Sequence, residues 1–211
     1  MRPNTIVELN RAQKISEDDA FTSSRYLHFM KHFDINTRDV LDLGCNTGRG
    51  GAAMKSRAPH LRITGLDCVA ERIASLDRQH YNAGLCGVSR EIPLPSNSFD
   101  AIVAGEFIEH VQPEDVFPSL YECWRLLRLR GRLLMTTPNP QYLKNRLRGL
   151  SVLLEPSHVS QHTAASMRRR LEDVGFSRIR VFGTGRISSV IGCYCPILSV
   201  YGSYLIVGKK W

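Results

Sequence analysis

The sequence is poor in the features that assign a chain to a specialised class. Its six cysteines (Cys45, Cys68, Cys86, Cys123, Cys193 and Cys195) are scattered through 211 residues without a paired framework or zinc-finger spacing. Cys193 and Cys195 stand one residue apart, too close for an ordinary bridge, so free buried thiols in a reducing compartment are expected. No apolar core follows the charged opening MRPNTIVELNRAQKISEDDA; no signal peptide is therefore expected, and a cytoplasmic location is. Internal repeats, long linkers and clusters with metal-ligand spacing are missing as well, and no metal is expected. One stretch, Ile187 to Gly208, lacks charge and is long enough in principle to cross a bilayer. Its four serines, three tyrosines, three glycines and Pro196 argue against a membrane helix. A buried β-hairpin with an apolar loop is expected there instead, with peripheral membrane contact left open.

Acidic residues are scarce in the second half. Residues 1–120 hold 13 Lys/Arg against 16 Asp/Glu, a balance of −3, whereas residues 121–211 hold 15 against 4, a balance of +11, so the +8 net charge arises wholly in the later part of the chain. The clusters are Arg125/Arg128/Arg130/Arg132, Lys144/Arg146/Arg148 and Arg168/Arg169/Arg170. Such asymmetry fits an anionic partner, whether phosphorylated substrate, nucleic acid or lipid surface, and fits solvated helix faces equally.

What is present is the composition of one globular domain, 43% hydrophobic and 23% charged. The first 36 residues read as a helical cap, with Phe21, Tyr26, Leu27, Met30 and Phe33 at helical spacing. Strands and helices then alternate. Strands are expected at 40–43, 61–67, 84–88, 99–104 and 132–137, and helices from the Gly-rich turn to Arg57, over 70–79 and over 114–129. The last of these is closed by Gly131. Residues 138–162 read as irregular, 163–174 as a helix stopped by Gly175, and 176–182 and 201–207 as terminal strands. Alternation of this kind implies a doubly wound, mostly parallel sheet with helices on both faces. Ligands of such sheets sit beyond the carboxyl ends of the strands.

The sharpest local feature is Val40-Leu41-Asp42-Leu43-Gly44-Cys45-Asn46-Thr47-Gly48-Arg49-Gly50, an apolar strand entering a glycine-rich turn. Glycines there admit positive φ and let a ligand approach the main chain. Their order is Gly-x-x-x-Gly-x-Gly, so the dinucleotide fingerprint Gly-x-Gly-x-x-Gly does not fit. The segment Asp42-Leu-Gly-Cys-Asn-Thr-Gly resembles motif I of class I S-adenosylmethionine (SAM)-dependent methyltransferases of the type 11, small-molecule or glycan kind. Gly65-Leu66-Asp67 is similar to the family's acidic strand end, whose carboxylate takes both ribose hydroxyls. Pro93-Leu94-Pro95, Ser98-Phe99-Asp100, Glu109-His110-Val111, Leu127-Arg128, Gly131-Arg132-Leu133-Leu134, Pro156, His158 and Leu171 to Phe176 continue the resemblance in order over about residues 25–182.

That resemblance implies a Rossmann-like single domain: cap 1–36, SAM-binding core 37–137 and acceptor side 138–211, with a seven-stranded sheet ending in an antiparallel strand. It also implies SAM as cofactor and S-adenosylhomocysteine as product. The matching cofactor positions are Arg25, Asp42, Gly44, Cys45, Asn46, Gly48, Asp67, Cys68, Ser89, Arg90, Gly105 and Glu106. Asn46 stands where the family has glycine, and Asn tolerates left-handed backbone better than most residues. Val88 replaces an acidic residue, leaving the Ser89 and Arg90 backbone to read adenine.

A sulfonium methyl is already activated, so the enzyme has mainly to align the acceptor. A hydroxyl acceptor also needs a base, for which His110, His158 and, behind them, His162 are candidates. Asn/Asp-Pro-Pro-aromatic, frequent in nitrogen methyltransferases of nucleic acids, is replaced here by Gly105-Glu106-Phe107-Ile108. The leading expectation is O-methylation of a small metabolite or glycan, with RNA methylation and non-catalytic SAM binding as alternatives.

Overall fold

The computed structural model describes residues 3–13, 20–185 and 187–211. The cap is two helices, α1 (Pro3–Arg11) and α2 (Ala20–Met30); residues 14–19 of the expected cap lie outside the described residues. The core runs β1 (Asp39–Leu43), α3 (Arg49–Arg57), β2 (Arg62–Asp67), α4 (Ala70–Ala74), β3 (Ala83–Cys86), β4 (Phe99–Gly105), α5 (Val116–Leu126) and β5 (Leu127–Pro138). It is followed by α6 (Leu143–Leu147), α7 (Ala164–Val174), β6 (Phe176–Thr184), α8 (Ser188–Ile191) and β7 (Ser203–Lys210). The seven strands form one sheet in the order β3-β2-β1-β4-β5-β7-β6, parallel except for β7, which is antiparallel to both neighbours. This is the doubly wound architecture that the alternating pattern implies.

Strand periodicity explains the two cores. Leu41, Leu43, Ile102, Ala104, Leu133 and Met135 face α5 and α7, while Val40, Ala101, Val103 and Leu134 face the layer that holds Tyr26, Phe29 and Met54. Side chains alternate across a strand, so a sheet covered on both faces needs apolar residues at both parities. Gly175 ends α7 at φ 109°, and the Thr163 hydroxyl caps its start by accepting from the Ser166 N–H.

Several boundaries differ from expectation. The fifth strand starts at Leu127, not at 132, and α5 stops at Leu126. Leu127 pairs with Phe99, and the Arg128 guanidinium bonds Asp39 at 2.8 Å and Asp100 at 2.7 Å, which draws the chain onto the starts of β1 and β4. Gly131 lies inside the strand, and the register shifts beside Arg130, whose φ is +69°. Helix α4 is cut short because the Ser75 hydroxyl turns back onto the Arg72 carbonyl and Asp77 caps the next turn. The stretch 138–162 contains α6 and a short 3-10 turn at Val152–Leu154. The hairpin of β6 and β7 forms, but its loop is not buried: Val190, Tyr194 and Ile197 are largely exposed. The six cysteines are free, yet only Cys45 and Cys123 are buried. No helix among the described residues is long and apolar enough to cross a membrane.

Candidate active site

The carboxyl ends of β1, β2, β3 and β4 open on a cavity of about 280 Å³. Of the residues expected to hold a cofactor, Arg25, Gly44, Cys45, Asn46, Asp67, Cys68, Ser89, Arg90, Gly105 and Glu106 line it, and so do His110 and His158. Gly44 takes φ +75°, and a Cβ there would stand 2.6 Å from the Phe107 ring, so only glycine lets the turn pass. Asn46 does adopt left-handed backbone, at φ +51°.

Two of the expected cofactor residues do not reach the cavity. Asp42 is completely buried beneath the turn, where it accepts hydrogen bonds from Tyr26 Oη at 2.7 Å and Tyr81 Oη at 2.5 Å. Those tyrosines pack under Gly50 and Gly51, so Asp42 ties the glycine turn to α2 and to the approach to β3. Burial raises its pKa to about 6 against the pull of the two hydroxyls. Gly48 is likewise buried, the left-handed residue that starts α3 at φ +85°. Neither residue lines the cavity; both shape the turn on which it opens.

Asp67 ends β2 with its carboxylate in the cavity wall. It accepts from the Asn46 N–H at 3.0 Å and the Val69 N–H at 2.9 Å, with Arg72 Nη1 at 3.5 Å. Four lone-pair sites on a carboxylate leave room for further hydroxyl donors. Ser89 Oγ is turned inward to Ser119 Oγ at 2.7 Å, and the Arg90 guanidinium pairs with Asp115 at 3.2 Å. At that end the backbone is what remains for a planar ring, beside Gly87, where a Cβ would meet nothing within 4 Å. Arg25 faces Glu106 at 3.9 Å, and Oε1 of Glu106, buried at φ +50°, has no hydrogen-bond partner among the described residues. Sequence reasoning missed Ile6, Asn10 and Gln13 of the cap, which close the cavity from above, and Arg72, which donates to the Asn10 carbonyl. Their amphipathic helical spacing was the only available signal.

Past β4 the chain turns through Ile108–His110. The Glu109 carbonyl accepts the N–H groups of Val159 and Ser160 at 2.9 and 3.1 Å, which brings the loop carrying His158 onto the turn. The His110 and His158 rings consequently stand 4.9 Å apart, edge to face. His110 Nδ1 faces the Ser157 carbonyl at 2.9 Å, and His158 Nδ1 faces the Val152 carbonyl at 2.8 Å. A carbonyl only accepts, so both rings carry their proton on Nδ1 and present the Nε2 lone pair. Burial, and then the neighbouring His158, lowers the pKa of His110 to about 4. Gln13 Nε2 lies 3.2 Å from its Nε2. His162, by contrast, is buried away from the cavity: Arg170 donates to Nδ1 at 2.7 Å and Ser160 Oγ lies 2.9 Å from Nε2. It is a structural histidine. Where the sequence suggested no metal cluster, the fold brings one ligating atom each of Glu109, His110 and His158 within 4.8 Å of one another.

The paired basic residues account for much of the late positive charge. Arg125 binds Glu122, Arg128 binds Asp39 and Asp100, Arg168 binds the Ile179 carbonyl, and Lys210 binds the Leu127 carbonyl. Lys144, Arg146 and Arg148 lie on the exposed α6 segment beside Leu147, which is 80% exposed.

Residues 41–135 match the protein family described as a methyltransferase domain. The resemblance covers the core from β1 to β5. Over 146 residues the chain is 34% identical to a Mycolicibacterium smegmatis protein named "Probable S-adenosylmethionine-dependent methyltransferase", covering 66% of this chain and 52% of that protein. It is 34% identical over 113 residues to the fatty-acid O-methyltransferase of the same organism, covering 52% of this chain and 40% of the relative. The chain thus spans about half the length of the curated relatives it matches. A crystal structure of a SAM-dependent methyltransferase from Archaeoglobus fulgidus superimposes with a TM-score of 0.71 at 20% identity, covering 90% of this chain and 93% of the other. The names of two of these proteins give SAM as their cofactor. The cavity offers features that such a cofactor would need: a hydroxyl-ready carboxylate at Asp67, an open glycine turn, and the Glu106 carboxylate on its wall, whose Oε1 faces Arg25 at 3.9 Å.

Proposed function

We propose that the chain binds SAM across the ends of β1 to β4 and transfers its methyl group to a hydroxyl of a small or glycan-type acceptor. The donor end is Asp67 with the Gly44–Asn46 turn and the Ser89–Arg90 backbone; the acceptor end is the turn after β4. SAM supplies an electrophilic methyl when bound. The chain's own part is to hold donor and acceptor in line, exclude water with α1, and take the acceptor proton.

The observation that carries this reading is the orientation of the two histidines. His158 donates its Nδ1–H to the Val152 carbonyl and keeps an Nε2 lone pair at the cavity wall, which supports a role for it as the base. His110, lowered to about 4, is neutral at physiological pH and positions the neighbouring ring. The fatty-acid O-methyltransferase relative supports an oxygen acceptor, and exposed Lys144, Arg146 and Arg148 support an acidic one. A second, larger and more open cavity of about 1600 Å³ between α2 and the loop after β6 shares Arg25 and Glu106 with the first and offers the acceptor a way in.

The test is calorimetric titration with SAM, followed by labelled-methyl transfer to hydroxyl-bearing extracts. Asp67→Ala is expected to weaken SAM binding by about tenfold or more, and His158→Ala to lower turnover by about 100-fold with SAM affinity retained. Failure of the wild-type protein to bind SAM, or full turnover by His158→Ala, overturns the corresponding half of the proposal.

A further inference from the structure

At the acceptor end of the cavity, Glu109 is fully buried. One of its carboxylate oxygens accepts from Thr137 Oγ1 at 3.0 Å, and the other, Oε1, has no hydrogen-bond partner among the described residues. A buried carboxylate oxygen left without a donor is costly unless it takes up a proton or a cation comes to it. Beside it stand the two imidazoles already described, each fixed by an Nδ1–H bond to a backbone carbonyl and each presenting Nε2. That anchoring orients metal-binding histidines generally, because it fixes the tautomer and aims the other nitrogen. A carboxylate oxygen and two imidazole nitrogens form the two-histidine, one-carboxylate set that suits first-row divalent ions and leaves coordination positions open.

We propose that Glu109, His110 and His158 bind one divalent transition-metal cation at the acceptor end of the cavity. The ligating atoms lie within 4.8 Å of one another. Ligands about 2.1 Å from a tetrahedral ion stand about 3.4 Å apart, so side-chain shifts of about an ångström close the site. The Gln13 amide moves off His110 Nε2 as the ion enters. The open positions face the cavity, where they suit oxygen atoms of an acceptor. The inference rests on the proposed function only for that last step; cation binding itself does not require it. With the cation bound, His158 serves as a ligand instead of the base; the ion lowers the pKa of a bound acceptor hydroxyl, and its proton leaves to water.

The experiment is titration of chelator-treated full chain with Zn²⁺, Co²⁺, Mn²⁺ and Mg²⁺ separately, by calorimetry and, for Co²⁺, by visible absorption. One equivalent of Zn²⁺ or Co²⁺ is expected to bind at least about 100-fold more tightly than Mg²⁺, since imidazole ligands favour the softer ions. Glu109→Gln and His158→Ala are each expected to weaken Zn²⁺ by about 30-fold or more, in line with loss of a ligand, while exposed His60→Ala leaves it unchanged. The urea unfolding midpoint of each variant, measured alongside, verifies that it is folded; His158→Ala, at a half-buried position, is the variant that serves if Glu109→Gln does not fold. Absence of stoichiometric binding, or Zn²⁺ affinity indifferent to His158→Ala, overturns the site. Cation binding without methyl transfer keeps the site and removes the proposed function. Chelator-resistant transfer without cation binding does the reverse.

Discussion

Replacing Asp42 by Asn should stabilise the protein at alkaline pH while hardly changing its grip on SAM. Asp42 is wholly buried, and burial lifts its pKa from 3.8 to about 6 even though two tyrosine hydroxyls donate to it. A raised folded pKa favours folding below 3.8, where both states are protonated, and that advantage is lost as pH rises through 6. At about 1.4 kcal/mol per pKa unit, keeping the ionised carboxylate costs about 3 kcal/mol above pH 7, of which about half remains at pH 5. Asn has the same shape without the charge. It can accept from one tyrosine and donate to the other, at a loss of about 1 kcal/mol for the weaker bonding. Asp42→Asn is therefore expected to gain about 2 kcal/mol at pH 8 and about 0.5 kcal/mol at pH 5, read by urea unfolding at both pH values. Because Asp42 does not line the cavity, the SAM dissociation constant should stay within about threefold, under 1 kcal/mol. An Asn variant less stable than wild type by the same amount at both pH values would refute the argument. So would a tenfold loss of SAM affinity in a variant that unfolds normally.

Other perturbations test neighbouring parts of the reasoning. Gly44→Ala places a Cβ 2.6 Å from the Phe107 ring at φ +75°, and is expected to weaken SAM by about tenfold or more in calorimetry. Adding Phe107→Ala should recover part of that loss, because it removes the clash and leaves the strained backbone. Burial lowers His110 and His162 from 6.5 to about 4, so the stability they give is lost as pH falls from 6.5 toward 4. Each loses up to about 2 kcal/mol between pH 7 and pH 5. Replacing either ring by Gln should therefore flatten the fall in unfolding free energy over this range, read by urea unfolding at both pH values; a variant with the same pH dependence as wild type would contradict the burial of that ring.

The donor half of the site was legible because it is local. A strand, a turn that needs positive φ at Gly44 and Asn46, and an acidic strand end at Asp67 are each written in a few consecutive residues, and the parallel sheet aligns them. What was misread depends on partners far along the chain. Leu126-Leu127-Arg128-Leu129 suits a helix as well as a strand, and the choice is made by Arg128 reaching Asp39 and Asp100, which are 89 and 28 residues away. Asp42 sits in a motif associated with a cofactor, yet its own partners are tyrosines 16 and 39 residues distant. The acceptor end shows the same logic at its strongest. Nothing in the spacing of Glu109, His110 and His158 suggests a cluster, because α5 and β5 intervene between the turn and the loop. The link is main-chain: the Glu109 carbonyl receives two N–H groups from residues 159 and 160, and those bonds carry His158 into place. A substitution in the 157–160 loop should therefore disturb the acceptor end as severely as one in Glu109, while the glycine turn and Asp67, held by β1 and β2, keep their hold on the donor.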